Sequence, residues 1–136
     1  MTHRMEPVDF DRDTGGFFQA AREGRLVYRA CTGCSKAVHP PAPYCPVCGD
    51  ETAWRDARGT GTLYSWTQVP VAVHPGYPAP YTVVVVALED APAVRLIGTL
   101  PGLPELRAGQ VMDVWFDDEA RSRGLPQFRP RDPAGP

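Results

Sequence analysis

The sequence predicts a mainly β protein in which a short N-terminal helix and a metal-binding ribbon precede a small five-stranded barrel. Three observations support this prediction. Four cysteines form two closely spaced pairs, short runs of β-branched and aromatic residues follow them, and the 136 residues include 16 prolines and 13 glycines. Proline breaks helix interiors but is tolerated in turns and edge strands, so the composition argues against an all-helical protein. A chain of this length is also too short for a large two-domain enzyme.

The N-terminal part combines a leader with a helix. Residues 1–13 contain four acidic residues and no hydrophobic periodicity, so they are predicted to be a flexible leader. A short helix is expected next, with Phe17 and Phe18 on its apolar side and Gly24 at its end. The two phenylalanines indicate either a helix that folds back on the ribbon or one that docks onto a partner protein. Residues 14–59 are assigned to this helix and the ribbon together.

The cysteine spacing is the most specific signal in the chain. The pattern is C-x2-C, ten residues and C-x2-C, formed by Cys31, Cys34, Cys45 and Cys48. Two residues between cysteines let both sulfurs face one point, about 2.3 Å away for zinc. Four thiolates leave no open coordination position, so the predicted zinc ion is structural. A rubredoxin-like iron centre uses the same pairs with a longer intervening segment, and a dithiol redox site needs one isolated pair.

Residues 60–131 are predicted to form the barrel, and residues 132–136 a tail. The composition changes to strand-forming residues after Gly59 and Gly61, and the five expected strands are 62–69, 81–88, 94–100, 111–116 and 125–130. The second of these lacks polar alternation, which indicates that both of its faces are covered, as in a closed barrel. Five short strands joined by turns are typical of an OB-fold barrel.

Charge narrows the classes of partner. The net charge is −2, and residues 62–100 carry one cation against two acidic residues. This balance disfavours a nucleic-acid binder, because phosphate neutralisation supplies most of the non-specific affinity. The alternative of a single-stranded nucleic-acid-binding ribbon and OB module is kept, because three aromatic residues of the barrel could stack on bases: Tyr64, Trp66 and Tyr81.

Known catalytic motifs are missing. The sequence has no GxGxxG, P-loop, GxSxG or HExxH pattern, and its three histidines are scattered. The alternative of an enzyme with its own acyl-transfer nucleophile is weak, because the cysteines are assigned to metal. No apolar segment is long enough for a membrane span or a signal core, so a cytoplasmic protein without membrane contact is expected.

A series of small motifs in a fixed order runs through most of the chain. These motifs are Phe17-Phe18, Gly24-x-Leu26, the two cysteine pairs, Pro40-Pro41, Trp54, Gly59-x-Gly61-x-Leu63-x-Ser65, Pro80-Tyr81, Gly109-x-x-Met112 and Leu125-Pro-x-Phe128-Arg-Pro130. The series resembles the DUF35 family, whose members combine a rubredoxin-like zinc ribbon with a five-stranded OB-fold barrel and are associated with acyl-CoA. The chain departs from the family pattern at Ser35, where glycine is usual, and at Ala42, where arginine is frequent.

The resemblance implies a non-catalytic accessory subunit in a hetero-oligomer. The implied partners are thiolase-superfamily enzymes, including thiolases and lipid-transfer-protein-like aldolases, or MaoC-like hydratases. The subunit would help to form or bridge the partner's acyl-CoA site, with acyl-CoA bound jointly. The N-terminal helix, an aromatic strand and the proline-rich loop 70–80 are the expected surface for the partner or for acyl-CoA. Its predicted residues are Phe17, Phe18, Trp66, His74, Tyr77 and Tyr81.

Overall fold

The computed structural model describes residues 9–117 and 125–131. Its elements are α1 (Gly15–Arg22), β1 (Val27–Cys31), β2 (Thr52–Asp56), β3 (Thr60–Val69), β4 (Tyr81–Leu88), β5 (Arg95–Pro101), β6 (Val111–Phe116) and β7 (Pro126–Pro130). The mainly β class with one short helix is as predicted. Most of the predicted leader and the tail 132–136 lie outside the described residues. In the described part, no helix is long and apolar enough to cross a membrane.

Helix α1 folds back against the rest of the chain. Ala20 and Ala21 are buried, and Phe17 packs on the core of the β domain. Gly16 lies directly against the indole of Trp54, where a Cβ would collide with the ring. The helix therefore contacts both the ribbon, through Trp54, and the barrel strands, through Phe17.

The ribbon is a two-stranded antiparallel sheet of β1 and β2. Its register pairs Val27 with Asp56 at one end and Cys31 with Thr52 at the other. All four cysteines lie at the Cys31 end, because the segment between the strands carries the other three. Val38 is buried between Cys31 and Cys45 in a small core of its own.

The second sheet has the strand order β5-β4-β3-β6-β7, and every pair of neighbours is antiparallel. Strand β4 alternates between buried and half-exposed residues, so only one of its faces is fully covered. This differs from the expectation that both faces are covered, and β-branched residues on the half-exposed face hide the alternation in the sequence. The core of this sheet consists of Leu26, Leu63, Val84, Val86, Leu88, Ala91, Val94, Leu100, Met112 and Phe128.

The expected closure into a barrel is wrong, because β5 and β7 are not joined by a backbone ladder. The N–H of Asp117 donates to the carbonyl of Leu125, and the N–H of Arg131 donates to the carbonyl of Val111. These two bonds fix which residues of β7 direct their backbone groups toward β6 and which direct them away from it. In this arrangement, the N–H positions of β7 that face β5 fall on residues 126, 128 and 130. Two of these are prolines, which have no N–H to donate. The seam between β5 and β7 is instead bridged by the side chain of Gln127, which accepts the Thr99 N–H at 2.8 Å.

Candidate functional site

The four cysteine sulfurs converge at the tip of the ribbon. All four Sγ atoms lie within 4.8 Å of one another. The Sγ atoms of Cys31 and Cys48 are 3.3 Å apart, and those of Cys34 and Cys45 are 3.7 Å apart. A tetrahedral metal about 2.3 Å from each thiolate requires sulfur separations of roughly 3.8 Å. The donor set and its size therefore fit one four-coordinate metal ion.

Backbone N–H groups of the two cysteine turns point at the sulfurs. Sγ of Cys31 accepts the N–H groups of Gly33 and Cys34 at 3.3 and 3.4 Å, and Sγ of Cys45 accepts the N–H of Val47 at 3.4 Å. The pKa of the Cys31 thiol is lowered from 9.0 to about 6, chiefly by the N–H of Cys34. These donors favour the thiolate form that binds metal.

The two turns repeat the same backbone geometry. Ser35 donates its N–H to the carbonyl of Cys31 at 3.0 Å, and Gly49 donates its N–H to the carbonyl of Cys45 at 2.9 Å. Both residues have a left-handed backbone, with φ of 65° and 82°. The turns are thus equivalent, although only the second has the glycine that this conformation favours.

A first cavity, the phenylalanine cavity, has a volume of about 350 Å³ and lies between α1, the ribbon and the sheet. Its lining residues are Phe17, Phe18, His39, Arg95, Leu96, Ile97, Leu125, Pro126 and Phe128. The rings of Phe17 and Phe18 meet edge to face at 5.1 Å between centroids. Burial lowers the pKa of His39, which favours the neutral imidazole.

A second cavity, the tyrosine cavity, has a volume of about 250 Å³. Both cavities are lined by residues of β5 and β7, and the two lie along different parts of the seam between these strands. The lining residues of the tyrosine cavity are Tyr77, Pro78, Tyr81, Thr99, Leu100, Pro101, Trp115, Asp117 and Gln127. His74 stands beside it, with its ring 5.5 Å from that of Tyr77, and Tyr77 in turn lies 6.2 Å from Tyr81. The Nδ1 atom of His74 accepts the N–H of Gly76 at 2.9 Å. A neutral His74 therefore carries its proton on Nε2 and acts as a hydrogen-bond donor there.

The predicted surface residues are not gathered in one place. Phe17 and Phe18 line one cavity, whereas Tyr77 and Tyr81 line the other and His74 contacts Tyr77. Trp66 is half-buried against the core of the sheet and lines neither cavity. The assignment of these residues to a partner or to acyl-CoA stays a prediction.

Sequence reasoning missed Trp115 and Gln127, which line the tyrosine cavity, and two exposed valines of the loop 70–80. The alternation of β6 could have placed Trp115 on one face of the sheet. No sequence signal shows that the polar Gln127 is buried, because that depends on the pairing of β7. Val71 and Val73 are 65% and 72% exposed and extend the apolar surface of the loop.

One exposed aromatic ring of the sheet, that of Tyr64, carries a cation on its face. The guanidinium carbon of Arg95 lies 4.0 Å from the centre of the Tyr64 ring. The guanidinium group covers one face of the Tyr64 ring. Arg95 is also the single cationic residue of the segment 62–100, so this contact engages the one positive charge there. Stacking of bases on Tyr64 would have to displace that cation.

Comparisons with known proteins match both parts of the chain. Residues 18–54 match the family "ChsH2, rubredoxin-like zinc ribbon domain", and residues 54–117 match "ChsH2, C-terminal OB-fold domain". A solved structure, "Ltp2-ChsH2(DUF35) aldolase", contains a similar chain with 33% sequence identity and a TM-score of 0.80. That match covers 91% of this chain and 98% of the other.

Two further relatives are more distant or longer. A "Probable enoyl-CoA hydratase alpha subunit" of Thermomonospora curvata is 35% identical over 126 residues, which are 90% of this chain and 39% of that protein. The chain thus spans about two fifths of this curated relative. A DUF35 protein of unknown function from Sulfolobus solfataricus has 12% identity and a TM-score of 0.60, over 85% of this chain and 82% of the other. The last similarity concerns the fold alone.

Proposed function

Because the chain belongs to the DUF35 family, with a zinc ribbon and an OB-fold domain of the ChsH2 type, we propose that it is a non-catalytic accessory subunit of an acyl-CoA-processing enzyme complex. The observation that carries this proposal is the similarity to a chain of the Ltp2-ChsH2(DUF35) aldolase. The two chains match over nearly their full lengths, so the comparison concerns the whole described molecule.

The partner that this similarity favours is a lipid-transfer-protein-like aldolase of the thiolase superfamily. A second candidate is a MaoC-like hydratase, because a relative with 35% identity is described as a hydratase alpha subunit. That relative is much longer than this chain, so its activity supports the hydratase less strongly than the solved complex supports the aldolase.

The docking surface of the proposed subunit includes Phe17 and Phe18 and the loop 70–80. Val71 and Val73 are exposed on this loop, and four prolines restrict its backbone. An exposed apolar loop that is already rigid loses little conformational entropy when a partner covers it. The tyrosine cavity adjoins the same loop, so a docked partner would bring its acyl-CoA close to Tyr77 and Tyr81.

The metal in this proposal is a structural zinc ion held by the four cysteine thiolates. Tetrahedral thiolate coordination uses every position of zinc, so the ion stabilises the fold and takes no part in turnover. Among the described residues, the apolar core at this end of the ribbon is small and consists of two of the cysteines, Val38 and the half-buried Ala42.

Affinity purification of the tagged chain from its native host tests the partner assignment. We expect a lipid-transfer-protein-like aldolase or a hydratase to co-purify in a fixed ratio and to remain bound through gel filtration. The variant Phe18→Ala and the loop variant Val71→Ser/Val73→Ser should each weaken the complex. Capture of nucleic-acid-binding proteins or of oligonucleotides alone would contradict the proposal.

A further inference from the structure

Gln127 lines the tyrosine cavity in an orientation that is fixed by the backbone. Its Oε1 atom accepts the N–H of Thr99 at 2.8 Å. In a side-chain amide the oxygen and the nitrogen share one carbon, so a fixed Oε1 also fixes the direction of Nε2. Gln127 is 9% exposed, which makes it a polar side chain that is more than nine-tenths buried.

The Nε2 group of Gln127 has two hydrogens and no hydrogen-bond partner among residues 9–117 and 125–131. Among the described residues, Nε of Arg29 is the one side-chain nitrogen or oxygen atom that is fully buried and has no hydrogen-bond partner. Nε2 of Gln127 is therefore open to the cavity that the residue lines. The two hydrogens of Nε2 are therefore available to a ligand in the cavity that supplies hydrogen-bond acceptors.

Three aromatic side chains form the walls around this donor. Tyr77 and Tyr81 lie 6.2 Å apart between ring centroids, and Trp115 lines the cavity as well. Flat aromatic walls favour a flat ring, because ring faces stack with little loss of conformational freedom. A volume of about 250 Å³ lies just below the usual range for small-molecule pockets, so it fits one ring system and not a whole cofactor.

We propose that the tyrosine cavity binds the adenine base of a nucleotide. The amide of glutamine matches the edge of adenine, since its N–H donates to N7 while its oxygen accepts from the N6 amino group. Oε1 of Gln127 has a second lone pair for this purpose beside the one used by Thr99. Guanine presents two acceptors on the corresponding edge, so it can satisfy only half of the amide.

The source of the adenine follows from the proposed function, on which this part of the inference rests. CoA carries an adenine at the end remote from its thioester. A subunit that holds this end would position acyl-CoA without touching the reacting atoms. The pairing between Gln127 and adenine is independent of any partner enzyme and is tested with the isolated chain.

The test uses the purified full chain in its metal-loaded form, with adenosine, guanosine, CoA and ATP as probes in isothermal titration calorimetry. We expect adenosine to bind about tenfold more tightly than guanosine, as one good amide–base pair provides. The variant Gln127→Glu keeps an acceptor for Thr99 but replaces the donor with an oxygen, so its affinity for adenosine should fall about tenfold. CoA should bind at least as tightly as ATP.

Gln110→Glu is the matched control. Oε1 of Gln110 also accepts a backbone N–H, from Arg107 at 2.7 Å, but the residue lies outside the tyrosine cavity. The Gln110→Glu variant should bind adenosine as tightly as the unaltered chain does. If Gln127→Glu does not fold, Tyr77→Leu removes a wall on the loop and should weaken adenosine binding by about fivefold or more.

Three results would overturn the assignment. These are equal affinities for adenosine and guanosine, an unchanged affinity in Gln127→Glu and Tyr77→Leu, and no binding of adenosine at millimolar concentration. If adenosine binds and CoA does not, adenine recognition stands and CoA is excluded as its source. If the unaltered chain does not bind adenosine but still co-purifies with an acyl-CoA enzyme, the adenine site is contradicted and the proposed subunit role is left intact.

Discussion

Gly61 lies so close to Ala87 on the neighbouring strand that a Cβ at position 61 would be 3.1 Å from the carbonyl carbon and nearer still to its oxygen. Gly61 is buried and pairs with Leu88 on one side and Met112 on the other. The absence of a side chain here lets β3 pass between β4 and β6 at the centre of the sheet. Gly61 is therefore required for the packing of the central strands of the sheet.

We expect Gly61→Ala to lower the free energy of unfolding by about 1–3 kcal/mol, because the added methyl group must push apart two paired strands. Urea unfolding followed by tryptophan fluorescence measures this change. Thr62→Ala, at an exposed position of the same strand, is the control and should change the stability by about 0.5 kcal/mol or less. Equal effects of the two variants would contradict the steric explanation.

Ser35 and Gly49 occupy equivalent positions in the two cysteine turns. We therefore expect Ser35→Gly and Gly49→Ser to change the stability of the ribbon in opposite directions. Ser35→Gly should leave the metal site intact and stabilise the ribbon by up to about 1 kcal/mol, since glycine adopts a positive φ without steric cost. Gly49→Ser should destabilise it by about 1 kcal/mol for the same reason. Metal retention during a titration with chelator measures both effects. A destabilised Ser35→Gly would indicate that the serine side chain makes a stabilising interaction.

The cysteine cluster predicts one zinc ion per chain. Cys45→Ser should reduce the metal content measured by elemental analysis, because three thiolates and a hydroxyl hold zinc less well than four thiolates. Val47→Ala, at an exposed position inside the same turn, should keep the full metal content. Iron in place of zinc, or unchanged metal in Cys45→Ser, would contradict the assignment.

Removal of the metal should affect the ribbon first. We expect a chelator to abolish amide-exchange protection over residues 27–56, because structural zinc contributes on the order of 10–16 kcal/mol to folding. The five-stranded sheet should also lose stability, since Leu26, just before the first ribbon strand, is buried in its core. Full protection of the ribbon after metal removal would show that the fold does not depend on the ion.

Asp113 and Arg131 predict a pH-dependent contribution to stability. The Arg131 side chain donates to both carboxylate oxygens of Asp113, at 2.8 and 2.9 Å, and lowers its pKa below 3.8. A lowered pKa means that the pair stabilises the fold above about pH 4, and that this contribution is lost as the pH falls through the folded-state value. Arg131→Gln should raise the Asp113 pKa in a carboxyl NMR titration. An unchanged pKa would contradict the pairing.

The sequence predicted the parts of the fold that depend on local signals. The cysteine spacing located the ribbon, and the β-branched runs located the strands, because both signals are carried by residues close together in the chain. The open seam between β5 and β7 was missed, since the outcome depends on which N–H positions of β7 face outward. Only the register of β6 and β7 shows that Pro126 and Pro130 occupy them.

The candidate sites divide in the same way. The convergence of the four sulfurs was predictable, whereas the separation of Phe17 and Phe18 from Tyr77 and Tyr81 into two cavities was not. Trp66 was expected at a surface because of its aromatic type, but its half-burial against the core follows from the pairing of β3 with β4. Burial of this kind is a property of the assembled sheet.

Turnover of an acyl-CoA by the reconstituted complex tests the central claim most directly. The candidate aldolase, this chain and an equimolar mixture of the two are compared at equal concentrations. If the chain is an accessory subunit, we expect no turnover by this chain, little or no turnover by the isolated partner, and full activity only in the mixture. The exposed-loop variant Val71→Ser/Val73→Ser should lower the activity of the mixture. Full activity of the partner alone, or turnover by this chain alone, would contradict the account.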